Sequence, residues 1–145
     1  MATATAIVLA DAQGTPVSHT FTPVGKDDKG VFWFIDQSAS NAIGFWKISV
    51  DIKQPNTPQP GESSAKRVAR FKIGLHEPVL ENVTNSTISG IAPAPTVAYI
   101  PRVITEFVVP ERSALLDRKN LRKMVSALLA DSNVVNVVEN LNYLM

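Results

Sequence analysis

Two stretches carry side chains whose types and spacing could do chemistry, and that chemistry is the binding of phosphate. In GFWKISVDIK, residues 44–53, alternation puts Trp46, Ile48, Val50 and Ile52 on one side of an extended strand and Lys47, Ser49, Asp51 and Lys53 on the other. KRVARFKIGLH, residues 66–76, alternates in the same way: Arg67, Ala69, Phe71, Ile73 and Leu75 share one face, while Lys66, Val68, Arg70, Lys72 and His76 share the other. Across residues 44–76, six cations (Lys47, Lys53, Lys66, Arg67, Arg70, Lys72) stand against two anions, Asp51 and Glu62, although the whole chain has a formal net charge of only +1. Paired as neighbouring strands, the two stretches would project Lys47, Lys53, Arg70 and Lys72 from one side of a sheet. Such a face meets phosphates by charge and leaves Ser49 and the interleaved side chains to read bases. An ordinary solvated sheet face has the same pattern, so alternation alone leaves both readings open.

Other chemistries are poorly served. His19 and His76 are the only histidines, far apart in sequence, and there is no cysteine. That excludes a disulfide framework, thiolate catalysis and cysteine-based zinc sites, and a metal site would have to be built mainly from carboxylates. The carboxylate pairs Glu77/Glu81 and Glu106/Glu111 have nothing beside them in sequence that would tune one member as an acid. GKDDKG, residues 25–30, lacks the ligand spacing of a calcium loop and reads as a tight turn. The glycine-rich phosphate loops, the nucleophile elbow and the zinc-protease helix motif are all missing. The expectation is a protein that is not an enzyme and that uses no metal or cofactor. The densest charge run, DRKNLRK at 117–123, places Arg118, Lys119, Arg122 and Lys123 opposite an apolar stripe, as the solvated face of an amphipathic helix does.

The elements that must position these residues follow from pattern. A chain of 145 residues, 45% hydrophobic and 19% charged, suits a single domain with its own core. No stretch approaches the roughly 18 apolar residues of a membrane span, and MATATAIVLADAQG lacks the build of a signal peptide, so a cytosolic product without membrane association is expected. The Asn-x-Thr matches at Asn82 and Asn85 then read as chance. Residues 6–10 and 17–24 predict a hairpin, and VFWFID (31–36) predicts a third strand. QPNTPQPGESS (54–64) is a long loop, and TNSTISGIAPAP (84–95) is another. TVAYIPRVITEFVVP (96–110) reads as one strand, with Pro101 implying an edge, a bulge or a local break. After Pro110 the spacing of Leu121, Met124, Val125, Leu128 and Leu129 predicts a helix N-capped by Ser113; Asp131, Ser132 and Asn133 then break and re-cap the chain, and Val134 to Leu141 predicts a second, short helix.

Strands followed by helices predict an α+β fold: an antiparallel sheet of six to seven strands, with an N-terminal hairpin (1–24), a main sheet (30–110) and a helical C-terminal part (111–145). Two helices cannot cover so broad a sheet, so the chain is expected to dimerise, each protomer's helices covering its partner's sheet. The face left open would be the one bearing Lys47, Lys53, Arg70 and Lys72.

The order of these elements, with PERSALLDRKNLRKMVSALLADSNVVNVVENLNYL at the C-terminal end and the pair GFWKISVDIKQ and RVARFKIGLHEP before it, resembles the coat proteins of single-stranded RNA bacteriophages across nearly the whole chain. The resemblance implies an interlocked homodimer with one continuous antiparallel sheet and helices on its outer side. It implies assembly into an icosahedral shell around the RNA genome, hence a virion location after synthesis in the host cytoplasm. It also implies that the dimer binds an RNA hairpin and represses translation of the replicase. RNA contacts in the family fall on the middle strands; the matching positions are Lys47, Ser49, Asp51, Lys53, Arg70 and Lys72, with Arg102, and Ile104 beside it, on the long strand. Asp51 and Ile104 depart from the polar or hydrogen-bonding residues the family places there. Two other classes stay open on the residues alone: a dimeric RNA-binding regulator that forms no shell, and a small-molecule binding domain or enzyme on the concave sheet.

Overall fold

The structure, a computed structural model, describes residues 3–82, 90–91 and 93–145. Most of the loop expected at 84–95 therefore lies outside the described residues. Among the described residues eight strands and two α-helices follow one another: β1 (Ile7–Ala10), β2 (Ser18–Lys26), β3 (Phe32–Asp36), β4 (Trp46–Lys53), β5 (Val68–His76), β6 (Val79–Leu80), β7 (Val97–Tyr99), β8 (Arg102–Pro110), α1 (Leu115–Leu129) and α2 (Ser132–Glu139). Six of the strands form one sheet in the order β1-β2-β3-β4-β5-β8, and β6 and β7 form a separate two-stranded sheet. The α+β class, the antiparallel sheet and the two C-terminal helices agree with the sequence reading.

Two local expectations are corrected. Residues 96–110 are two strands, because Pro101 has no N–H to give a ladder; β7 ends before it and pairs with β6, while β8 begins after it and joins the main sheet. The N-cap of α1 is Ala114 rather than Ser113. Asp117 does half of a capping box by accepting the Ala114 N–H at 3.1 Å, while the Ser113 hydroxyl is buried without a partner. Asp131 caps α2 as the sequence suggests, its carboxylate accepting the Asn133 N–H at 2.9 Å.

The chain divides into two compact units, Met1–Gln54 with Arg70–Val108, and Pro55–Ala69 with Val109–Met145. In the first unit the aromatic and β-branched runs of β3 and β4 pair so that Phe34 faces Ile48 and Phe32 faces Val50. Phe21 (1% exposed), Phe34 and Ile48 make the buried cluster, with Trp46 and Leu75 packed against it. This cluster occupies the sheet side opposite Lys47, as strand alternation requires.

An ionic clamp closes the end of that cluster. The His19 ring lies on Trp46 with centroids 4.3 Å apart, its Nδ1 is 2.7 Å from Asp36 Oδ2, and its Nε2 is 3.5 Å from Asp11 Oδ2. Asp36 also accepts from the Ser38 amide and hydroxyl at 3.0 and 2.8 Å, so its buried charge is satisfied. One histidine thus ties β2, β3, β4 and the β1–β2 turn. The hydrogen bond to Asp36 raises its pKa against the opposing effect of burial, and Asp11 raises it further.

In the second unit, Arg67 is 8% exposed and fully engaged: Nε to Glu111, Nη1 to Glu62 at 3.1 Å and Nη2 to the Asn56 carbonyl at 2.6 Å. The long loop at 54–64, which carries no signal of its own in the sequence, is the segment that wraps this guanidinium. The helices bury none of their residues; Leu116, Met124, Leu128 and Val138 are all more than half exposed.

The raised pKa of His19 gives stability that is fully present below the ordinary value of 6.5 and is lost as pH rises through the folded-state value. Thermal melts of the native chain should therefore fall on the alkaline side of 6.5, and His19→Asn should remove that fall at the cost of a lower Tm at pH 6. An alkaline limb unchanged in His19→Asn would contradict the clamp.

Candidate nucleic-acid face

Register assembles the face. Along β4 and β5, Lys47 lies opposite His76, Ser49 opposite Gly74, Asp51 opposite Lys72 and Lys53 opposite Arg70. Across β3, Lys47 lies opposite Ile35 and Ser49 opposite Trp33. Arg70 Nη1 reaches Glu106 Oε1 on β8 at 3.2 Å, which puts Glu106 on this side and, by alternation, Ile104 and Arg102 with it. The structure thus places Lys47, Ser49, Asp51, Lys53, Arg70, Lys72 and Arg102, all seven positions singled out in the sequence, on one side of the sheet.

They are not electrostatically equal. Asp51 lies 3.8 Å from Lys53 and opposite Lys72, and Glu106 takes part of the charge of Arg70. Both ion pairs are exposed on at least one partner, so each contributes little to stability, on the order of 0–1 kcal/mol. Their effect is on the field of the face. Among the described residues no carboxylate is within ion-pair distance of Lys47, Lys72 or Arg102. Uncompensated positive potential therefore sits on Lys47, Lys72 and Arg102, while Asp51 and Glu106 damp it around Lys53 and Arg70. Arg67, one of the six cations counted in the sequence, belongs to the clamp in the second unit and adds nothing here.

His76 lies within this field. Burial pushes its pKa down, and the nearby positive charges of Arg102 and Lys47 push it further. A neutral imidazole follows at neutral pH, with Nε2 3.1 Å from the Ser49 hydroxyl. Gly74 makes room for that contact, since a Cβ there would stand 2.6 Å from Ser49 Oγ and 2.9 Å from His76 Nε2. Trp33 completes the surface, its ring 5.8 Å from that of His76.

Sequence reasoning missed Trp33 and Glu106 as members of this face; His76 it set on the polar side of its strand with Arg70 and Lys72, without counting it among the RNA-binding positions. Alternation in VFWFID does set Trp33 and Ile35 apart from Phe32, Phe34 and Asp36. What the sequence withheld was the pairing of β3 with β4 and of β5 with β8. Glu106 and Glu111, read as a pair, are divided between Arg70 and Arg67. Among the described residues no group of three or more acidic or histidine side chains is arranged to hold a metal ion, and no helix is long and apolar enough to cross a membrane.

The chain and its fold match known proteins. A model of the levivirus coat protein family matches residues 2–144. Among solved structures, the virus-like particle of bacteriophage ESE058 is 40% identical, with 99% of this chain and 100% of that chain covered at a TM-score of 0.90. The capsid protein of bacteriophage GA is 16% identical over 96% of this chain and 95% of that one, TM-score 0.69. An unassembled bacteriophage coat protein described as an RNA-binding dimer is 15% identical over 97% of both chains, TM-score 0.61; these last two matches speak to fold alone. No curated protein matches the chain. With the family model spanning nearly every residue and the element order, the sheet and the two C-terminal helices in agreement, the chain belongs to the levivirus coat protein family.

Proposed function

We propose that this chain is the structural capsid protein of an RNA phage, acting as a homodimer that assembles into an icosahedral shell and packages single-stranded RNA against the Lys47–Arg102 face. The carrying observation is that Lys47, Lys72 and Arg102, uncompensated by carboxylates among the described residues, share one side of the sheet in a member of the coat protein family. RNA phosphates are the natural counter-charge for such a face. The 40%-identical neighbour is a virus-like particle, which supports assembly, and the fold-level neighbour described as an RNA-binding dimer supports the choice of partner.

Self-association is supported independently by surface. The exposed apolar residues of α1 and α2 need a cover, and a second copy supplies it. The nine-residue strand β8, at one edge of the sheet, offers backbone groups through which the sheet can continue into a partner. On this reading the two compact units act as one coat protein domain, the protein is not an enzyme, and it is found in the virion after synthesis in the host cytoplasm. The dimer also binds an operator hairpin as repressor of the replicase. With Asp51 spent on Lys53 and with apolar Ile104 on the face, we assign sequence readout to Ser49 and its neighbours and backbone binding to the lysines.

Expressed alone, the chain should yield shells that contain RNA in electron micrographs; small soluble dimers under every salt condition would contradict the capsid reading, and salt-dependent RNA binding by those dimers would point to a regulator. Binding of single-stranded RNA should lose about 0.7 in the slope of log affinity against log salt for each phosphate contact removed. Lys47→Ala and Lys72→Ala should each show that loss while leaving dimers folded, Arg70→Ala should show less because Glu106 already shares its charge, and Arg118→Ala with Lys119→Ala should show almost none. Unchanged affinity in all three face variants would mean that the RNA lies elsewhere.

A further inference from the structure

Beside the charged strands, a hollow of about 310 Å³ opens on the side of the sheet that bears Lys47. Val24, Gly25, Trp33 and Ile35 line it together with the cations Lys26 and Lys47. The hollow follows from a break in strand register: pairing of β2 with β3 shifts between Pro23 and Gly25, so the extra residue re-aims the strand end. Gly25 adopts φ 128°, a conformation that glycine tolerates best, and a Cβ there would meet nothing within 4 Å.

The indole is held rather than free to turn. Its Nε1–H donates to Asp27 Oδ2 at 2.9 Å, and Asp27 Oδ1 is itself fixed by the amides of Lys29 and Val31 at 2.9 and 3.0 Å. The Asp27 carboxylate is thus occupied by three donors, and the lining cations, Lys26 and Lys47, have no carboxylate within ion-pair distance among the described residues. A volume at the low end for ligand sites, an oriented aromatic lining and two unpaired ammonium groups suit a small flat group that carries a negative charge at its edge.

From this geometry we infer that the Trp33 hollow takes one unpaired nucleobase of single-stranded RNA, stacked on the indole, with its flanking phosphate held by Lys26 and Lys47. The inference rests on the RNA-facing reading of this sheet side and adds to it a stacking residue and a subsite. Stacking is tolerant of base identity, so the subsite serves packaging of a whole genome rather than recognition of one sequence.

The chain has two tryptophans, Trp33 and Trp46, and Trp46 lies on the other side of the sheet against His19. Trp46→Phe therefore leaves Trp33 as the only indole reporter. With protein freed of nucleic acid, a short single-stranded RNA oligonucleotide should quench its fluorescence, while an abasic oligonucleotide of equal length should bind, by anisotropy of a label on its end, without quenching. In the otherwise native chain, Trp33→Leu should weaken binding of the base-bearing oligonucleotide about five-fold or more and leave the abasic one unchanged. Binding of both oligonucleotides without quenching, and with equal effects of Trp33→Leu, would overturn the base subsite while leaving the phosphate-binding face intact. Failure to bind either would overturn both readings. Quenching that follows protein concentration without any oligonucleotide would assign the hollow to a second copy of the chain and overturn the inference. Should Trp46→Phe fail to fold, the comparison of affinities in Trp33→Leu decides alone.

Discussion

The backbone register that joins β3, β4 and β5 is the constraint on which the rest depends. A side-chain period of two means that a slip of one residue in β5 would turn Arg70 and Lys72 into the apolar cluster and put Phe71 and Ile73 beside Lys47. The buried group of Phe21, Phe34 and Ile48 holds that register, because any slip would exchange buried aromatic and aliphatic surface for charge. Burial on one side of the sheet thereby dictates what is displayed on the other. The charged face is a consequence of the core as much as of its own residues.

That core is small for the chain it supports. Among the described residues four apolar side chains are buried, while the helices and β8 carry large apolar groups exposed to water. On the proposed reading, such a chain gains further hydrophobic stabilisation on meeting another copy. Folding and assembly are then linked, and the clamps inside the single chain acquire a role. The His19 clamp holds the N-terminal hairpin in register with the sheet, and the Arg67 clamp holds the long loop against Glu111, so each unit presents a defined surface before association.

Much of this was legible in the sequence where a physical rule is local. The alternation of GFWKISVDIK and KRVARFKIGLH set out both faces of β4 and β5, and the change of period after Pro110 set out α1 and α2. Asp131 announced its cap. The misses come from interactions between residues distant in the chain. Arg67 looked like one more surface cation until Glu111, 44 residues later, met its guanidinium. Trp33 reads in the sequence only as part of a strand, and the pairing of β3 with β4 is what puts it beside Ser49. The break at Pro101 was named as one of three outcomes; the choice among them depended on β6, a strand of two residues too short to carry a pattern.

The central claim, that the side of the sheet bearing Lys47, Lys72, Arg102 and Trp33 is the side that meets RNA, is tested most directly by ultraviolet cross-linking of RNA-containing particles followed by mapping of the nucleotide-bearing peptides. The account predicts adducts in residues 31–36, 47–53 and 70–76, with few in 115–139. Adducts concentrated in 115–139, with the strand peptides unmodified, would contradict it.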